Sequence, residues 1–342
     1  MTEGLLERLA DGPVICAEGY GFELERRGYL QAGAFVPEVV LEHPDRVTGL
    51  HEEFVHAGTD IVEAFTYYAH REKLRFIGKE DLLEPLNKQA LTLAAAVARA
   101  TGTLLAGNVC NTNIYDPDDP ATHASVRAMY AEQIGWAVEA GVDFVIAETI
   151  RHVGEALIAL ELIREAGLPS VVTLVADRTA RTREDLPMTE AMKRLAGAGA
   201  DVVGLNCNRG PATMLPLLAP LVEAVDVPVA ALPVPYRTSE DQPTFQSLRD
   251  PDYPGPTAPF PAALDPFTCS RYEIAEFTRQ AAEAGVRYFG ICCGAAPHHV
   301  RAMAETLGRT PPASRYSVDM SKHAYLGTAA SRQNKEYAAR RL

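Results

Sequence analysis

The chain carries six cysteines, Cys16, Cys110, Cys207, Cys269, Cys292 and Cys293, and the last two are adjacent. The adjacent pair lies between Gly290 and Gly294 at the end of an apolar run, and Cys207 ends another such run. Thiolates are usual ligands of zinc, which prefers four tetrahedral partners at about 2.3 Å and keeps one position open in catalytic sites. Three protein sulfurs would leave that position to a substrate thiol, and a thiol bound to zinc is deprotonated and nucleophilic at neutral pH. Successive strand residues point to opposite faces, so both members of the pair reach one ion only if the chain bends locally, which flanking glycines permit. A plainer reading stands beside this one, because cysteine is among the most buried residue types and fills cores as a small hydrophobe.

Something must bring residues 207, 292 and 293 together. Short runs rich in Val, Ile, Phe and Leu predict eight strands, over 14–18, 60–68, 103–109, 143–149, 170–176, 201–207, 228–234 and 288–293. Amphipathic stretches between them predict helices over 44–55, 88–100, 124–139, 153–165, 188–198, 212–224, 271–284 and 297–307. Most of the strands are continuous apolar runs, the pattern of a parallel sheet covered on both faces. One junction recurs: Ala57-Gly58-Thr59-Asp60, Ala140-Gly141-Val142-Asp143, Ala198-Gly199-Ala200-Asp201 and Ala284-Gly285-Val286-Arg287 each precede an apolar run. A glycine just past a helix is the usual left-handed cap, so this is what repeated βα units would leave, although an Ala- and Gly-rich chain could produce such echoes by coincidence. Eight alternations favour a single closed (β/α)₈ TIM barrel of α/β class, over residues 1–309. No Gly-x-Gly-x-x-Gly follows the first strand, so a dinucleotide-binding half is not indicated.

In such a barrel the active site forms at the C-terminal strand ends. Those ends carry Glu18, Tyr67, Tyr68, Asn108, Glu148, Cys207, Cys292 and Cys293. Strands six and eight are separated by one strand, so three of the six cysteines can meet over the mouth. Two segments leave the alternation. Residues 236–268, after strand seven, hold seven prolines and read as a functional lid or a disordered segment, the place after a barrel strand favouring the lid. Residues 310–342 form a polar tail, read either as a short C-terminal arm packing on another subunit in a homo-oligomer or as a frayed terminus.

The composition bounds the partners. Lys plus Arg total 32 against 45 Asp plus Glu in 342 residues, a net charge of −13. That balance argues against nucleic acid and anionic membranes, both of which need a basic surface. The first residues lack the basic and apolar regions of a signal peptide, and no apolar run approaches about 18 residues, so a cytoplasmic location is expected.

Gly204-Leu205-Asn206-Cys207 and Gly290-Ile291-Cys292-Cys293-Gly294 resemble the zinc-cysteine motifs of the homocysteine S-methyltransferase family. Its betaine-using branch is further resembled by Glu25-Arg26-Arg27-Gly28-Tyr29, Glu42-His43-Pro44, Leu50-His51-Glu52-Glu53-Phe54, Phe65-Thr66-Tyr67-Tyr68-Ala69 and Gly285-Val286-Arg287-Tyr288. The similarity runs from about residue 12 to residue 341. It implies Zn²⁺ on Cys207, Cys292 and Cys293, and homocysteine against Glu18, Gly19, Glu148 and Asn206. It also implies an onium methyl donor against Phe35, Phe65, Tyr67 and Tyr68. No separate protein nucleophile is implied, since the zinc-activated substrate thiolate attacks. By residue type alone, Glu148 reads equally as a salt-bridged rim residue, and 65–68 as strand core.

The departures from that branch cluster away from the zinc motifs. Phe35 stands where Trp is found, Glu18 where Asp is found, Thr149 where Tyr is found and Leu232 where an amide is found. The expected activity is methyl transfer from a glycine-betaine-like quaternary ammonium to homocysteine, giving methionine. Its competitors are a sulfonium donor such as S-methylmethionine or dimethylsulfoniopropionate, another betaine, a folate- or corrinoid-linked enzyme using a partner protein, and a non-catalytic zinc-bound barrel.

Overall fold

The computed structural model describes residues 3–252, 255, 258–323 and 327. Eight parallel strands close in sequence order: β1 (Val14–Ala17), β2 (Ile61–Glu63), β3 (Leu104–Cys110), β4 (Phe144–Ile150), β5 (Ser170–Leu174), β6 (Val202–Asn206), β7 (Val229–Leu232) and β8 (Tyr288–Ile291). β8 returns to pair with β1, so no edge is left. Around them run α1 (Leu5–Asp11), α2 (Tyr20–Arg26), α3 (Val39–Glu42), α4 (Pro44–Ala57), α5 (Arg71–Ile77), α6 (Leu83–Thr101), α7 (Pro120–Ala140), α8 (Val153–Glu165), α9 (Met188–Gly197), α10 (Pro211–Ala224), α11 (Arg271–Glu283) and α12 (Pro297–Thr306). Every strand is buried along its whole length, as the continuous apolar runs require. Among the described residues no helix is long and apolar enough to cross a membrane.

The recurring junction has a structural job. Gly58, Gly141, Gly199 and Gly285 all adopt positive φ, between 74° and 109°, which reverses the chain out of each helix. The aspartate two residues on then reaches back to the preceding strand. Asp60 accepts from the Ile15 amide at 2.7 Å, Asp143 from Leu105 at 2.7 Å, and Asp201 from Ser170 at 2.8 Å. Each carboxylate satisfies an amide at the start of its neighbour, so the repeat fixes strand register three times around the barrel. In the fourth copy Arg287 instead donates to the Leu9 carbonyl, tying α1 to the base of β8.

Two expectations are corrected. The second strand ends at Glu63 rather than at residue 68, because the Thr66 amide turns back to the Ala64 carbonyl (2.7 Å) and Tyr68 takes φ 61°. β-branched and aromatic residues mimic a strand there while the backbone bends over the rim. The short helices α1, α2, α3 and α5, at four to seven residues, carry too few turns for a periodic signal and were not anticipated. The 236–268 segment is tied down by Arg237 N–H to Phe267 O (2.7 Å) and by Phe245 N–H to Asn208 O (2.8 Å). Its Pro254 and Pro256 lie outside the described residues. In the tail, Pro312–Tyr316 is a 3₁₀ turn whose Ala313 is buried; most of the rest, including Lys335, Arg340 and Arg341, lies outside the described residues.

Three buried histidines make the barrel acid-sensitive. His51, with neither ring nitrogen partnered, packs edge-on to Tyr20 at 4.7 Å, and burial pulls it down to about 3. Burial likewise takes His70 to about 4 and His299 to about 3. A lowered folded-state value means the unfolded chain binds more protons below about pH 6.5, so stability is lost as pH falls from there. Each histidine contributes a slope approaching about 1.4 kcal/mol per pH unit. Urea unfolding of His51→Leu between pH 7 and 4.5 should lose about one such slope, and an unchanged pH dependence contradicts the assignment.

Candidate active site

β7 sets the cysteine geometry. The Cys207 amide, just past β6, donates to the Leu232 carbonyl, and the Cys292 amide, just past β8, donates to Pro233, both at 2.9 Å. The two flanking strands are thus pinned to Leu232, the last residue of β7, and to Pro233 just past it. Cys207 and Asn208 then both adopt positive φ, 58° and 54°, and Gly294 follows the pair at φ 100°. These turns supply the local bend that the adjacent cysteines need. The Cys293 sulfur lies 3.6 Å from that of Cys207 and 3.9 Å from that of Cys292, and all three fall within 4.8 Å of one another. A tetrahedral ion with bonds of about 2.3 Å separates its ligands by about 3.8 Å, so the cluster fits such an ion with little rearrangement. Hydrogen bonding with its two neighbours holds the Cys207 thiol well below the ordinary range and pushes Cys292 and Cys293 above it.

Beside the sulfurs lie three buried glutamates. Glu148 accepts from Asn108 Nδ2 (2.7 Å), Asn206 Nδ2 (2.6 Å) and Thr149 Oγ1 (3.1 Å). Burial nevertheless raises it to about 7, with the Asn108 bond opposing. β4 breaks register between Ala147 and Ile150, and Thr149 takes φ 57°, so Glu148 is aimed by a bulge. Glu63 shares the Asn108 amide. Glu18 has no hydrogen-bond partner on either carboxylate oxygen, and burial followed by the charge of Glu148 drives it well up. One oxygen of Glu18, one of Glu148 and the Cys292 sulfur lie within 4.8 Å of each other. A buried, unpartnered carboxylate is costly unless something positive comes to meet it.

Above the acids opens a cavity of about 200 Å³, lined by the cysteines, Glu63, Asn108, Glu148, Arg151 and a ring of aromatics. Phe22 stacks on Phe35 at 5.2 Å, Phe245 meets Phe260 edge-on at 4.9 Å, and Tyr67 lies 4.3 Å from Tyr68. The Tyr68 amide donates to Cys110 Sγ at 3.3 Å, which anchors its positive-φ turn, and Lys73 Nζ sits 3.9 Å from its ring centre.

Of the residues singled out from sequence, Gly19, Phe35, Phe65, Tyr67, Tyr68, Glu148, Cys207, Cys292 and Cys293 line this cavity. Glu18 and Asn206 stand behind its wall, the latter orienting Glu148. A Cβ on Gly19 would fall 2.4 Å from the Cys292 carbonyl, so only glycine lets the first loop close on the cysteine turn. Glu63, Arg151, Phe22, Phe245 and Phe260 were missed as site residues. Phe245 and Phe260 sit in the aperiodic segment, whereas a lone acid inside Ile61-Val62-Glu63-Ala64-Phe65 was a readable sign of a buried functional charge.

The homocysteine S-methyltransferase family model matches residues 14–307. The chain belongs to the homocysteine S-methyltransferase family. It is 35% identical to mouse S-methylmethionine–homocysteine S-methyltransferase BHMT2, covering 98% of this chain and 89% of that one. It is 34% identical to Xenopus tropicalis betaine–homocysteine S-methyltransferase 1, covering 99% and 83%. Among solved structures, the metallated homocysteine methyltransferase MmuM of Escherichia coli superposes with a TM-score of 0.68 over 87% of this chain and 98% of that one; at 19% identity it speaks to the barrel alone. This homocysteine S-methyltransferase is therefore an enzyme whose cysteine cluster can hold a metal ion.

A site that keeps Glu18 unpartnered does so at the expense of stability. Its raised folded-state value means that stability is lost as pH climbs above the usual carboxylate range. Calorimetry of substrate-free Glu18→Gln should show a melting point at least about 2 °C higher than the parent at pH 8, with a smaller gain at pH 5. A lower melting point at pH 8 would mean that Glu18 has a stabilising partner.

Proposed function

We propose that the enzyme moves a methyl group from a glycine-betaine-like quaternary ammonium to the sulfur of homocysteine, with zinc held by Cys207, Cys292 and Cys293. The observation that carries this is the placement of three sulfurs at tetrahedral-edge spacing beside buried acids and beneath an aromatic-lined cavity. When bound, zinc supplies the acidity that keeps a coordinated substrate thiol deprotonated at neutral pH.

The chain's own residues do the rest. Glu148, oriented by Asn108 and Asn206, and Glu18, unpartnered, pair the ammonium of homocysteine, which can replace the solvation they lack. Gly19 and Asn206 complete that pocket. Phe35, Phe65, Tyr67 and Tyr68 present ring faces to the onium methyls, each worth about 0.5–2 kcal/mol, and keep water away. The thiolate sulfur attacks one methyl carbon in line with the departing nitrogen. A carbon–sulfur bond forms, the carbon–nitrogen bond breaks, and its electron pair stays on nitrogen. Methionine and a neutral tertiary amine result, so no general acid is needed. Holding donor and acceptor in this geometry is the principal contribution of the fold.

A sulfonium donor is the second reading, supported by the 35% identity to the mouse enzyme named for S-methylmethionine. Methionine formation should be measured with glycine betaine, S-methylmethionine and dimethylsulfoniopropionate. Turnover with glycine betaine is expected, and its absence beside turnover with a sulfonium would transfer the assignment. Cys207→Ala should lose stoichiometric zinc and at least about 100-fold in kcat. Retention of both would overturn the metal assignment, and zinc without turnover on any donor would leave a binding protein.

A further inference from the structure

One charged group in the cavity has no part in that scheme. Arg151 is the one cationic side chain among the described residues that line it. It leaves β4 immediately after the bulge, and its carbonyl is fixed by the Arg183 amide at 3.0 Å. Among the described residues its guanidinium makes a single hydrogen bond, from Nη1 to Asp177 Oδ1 at 2.5 Å, so most of its five N–H donors remain available. Asp177 is shared: Arg183 Nε approaches its other oxygen at 3.5 Å and Asn208 Nδ2 donates to Oδ1 at 3.2 Å. One carboxylate thus answers two guanidiniums. Arg151 is 28% exposed and lines the same cavity as Cys207, Cys292 and Cys293, which places it in the site rather than in bulk solvent.

Below it the site is acidic and around it aromatic. A cation bearing only methyl groups would satisfy the rings and leave the remaining N–H donors of Arg151 unused. A ligand with an onium group at one end and a carboxylate at the other satisfies both. We propose that Arg151, held by Asp177, is the anchor for the carboxylate of the methyl donor, which makes the enzyme selective for onium carboxylates over carboxylate-free onium ions. A planar guanidinium can meet a carboxylate with two parallel hydrogen bonds, so it fixes direction as well as distance and turns the methyl end toward the sulfur cluster. The assignment rests on the methyl-transfer reading above and names the donor's second recognition element.

The test compares glycine betaine with choline, which keeps the trimethylammonium and lacks the carboxylate. In the parent enzyme kcat/KM should favour glycine betaine by at least about 100-fold. Arg151→Gln should raise the KM for glycine betaine at least about tenfold, leave the KM for homocysteine within about twofold, and narrow the preference over choline; Arg151→Lys should restore part of it. An unchanged donor KM overturns the proposal. So does a rise confined to homocysteine, which would give Arg151 to the amino acid's carboxylate. Calorimetric binding of dimethylglycine and dimethylaminoethanol to the unaltered enzyme reads the same preference without a variant, and equal affinity contradicts it. If no donor yields methionine, the methyl-transfer reading falls, while the dimethylglycine preference still decides whether Arg151 holds a carboxylate.

Discussion

Two backbone hydrogen bonds to β7 hold the chemistry in place. The carbonyls of Leu232 and Pro233 accept from the amides of Cys207 and Cys292, so strands that are not neighbours are registered through the one between them. Barrel closure is what makes this possible, because an open sheet would leave β8 without the β1 pairing that brings its end to the mouth. The side chains behind the turn have little room to move: a Cβ at Gly290 would meet Leu232 at 2.5 Å, and one at Gly294 would meet the Tyr236 hydroxyl at 2.4 Å. Sulfur spacing is therefore a property of the closed barrel and not of a flexible loop.

Around that fixed point the site combines groups a stable core would avoid. Glu18, Glu63 and Glu148 crowd into a buried volume where burial raises all three, Glu148 adds to the cost of ionising Glu63, and both add to that of Glu18. Asn108 and Asn206 satisfy some of the oxygens but not those of Glu18. Such an arrangement favours positive charge, which in the proposed reaction the α-amino group of homocysteine would supply. In the proposed reaction the aromatic ring would take a second cation, with the ammonium of homocysteine among the carboxylates and the methylated onium among the rings.

How much of this was legible depends on how local each signal is. The Ala-Gly-x-Asp junctions announce the barrel because a helix cap and a strand staple need the same residues each time. The cysteines suggest a metal-capable cluster because an adjacent pair between glycines ends one strand and a third cysteine ends the next strand but one, although a buried-core role reads equally from residue type. Glu148 could be placed near a strand end, whereas the aromatics at 65–68 read as strand and in fact bend over the rim past Glu63, a bend tied at Tyr68 to a sulfur, Cys110, that is distant in sequence. Arg151 was unreadable, since its relevance comes from a bulge and from Asp177 on the next loop. Phe245 and Phe260 were unreadable for the same reason: no periodicity marks a residue that a long segment carries back over the mouth. Sequence patterns report the repeating scaffold, while specificity is written in contacts between segments that share no pattern.

The central claim is that three protein sulfurs hold zinc and leave one place for the substrate's sulfur. Zinc X-ray absorption on the loaded enzyme, without and with homocysteine, tests it directly. The account predicts three sulfurs at about 2.3 Å with one lighter ligand before homocysteine and four sulfurs after it. A sulfur count that stays at three when homocysteine saturates the enzyme, or that already stands at four without it, would contradict the account.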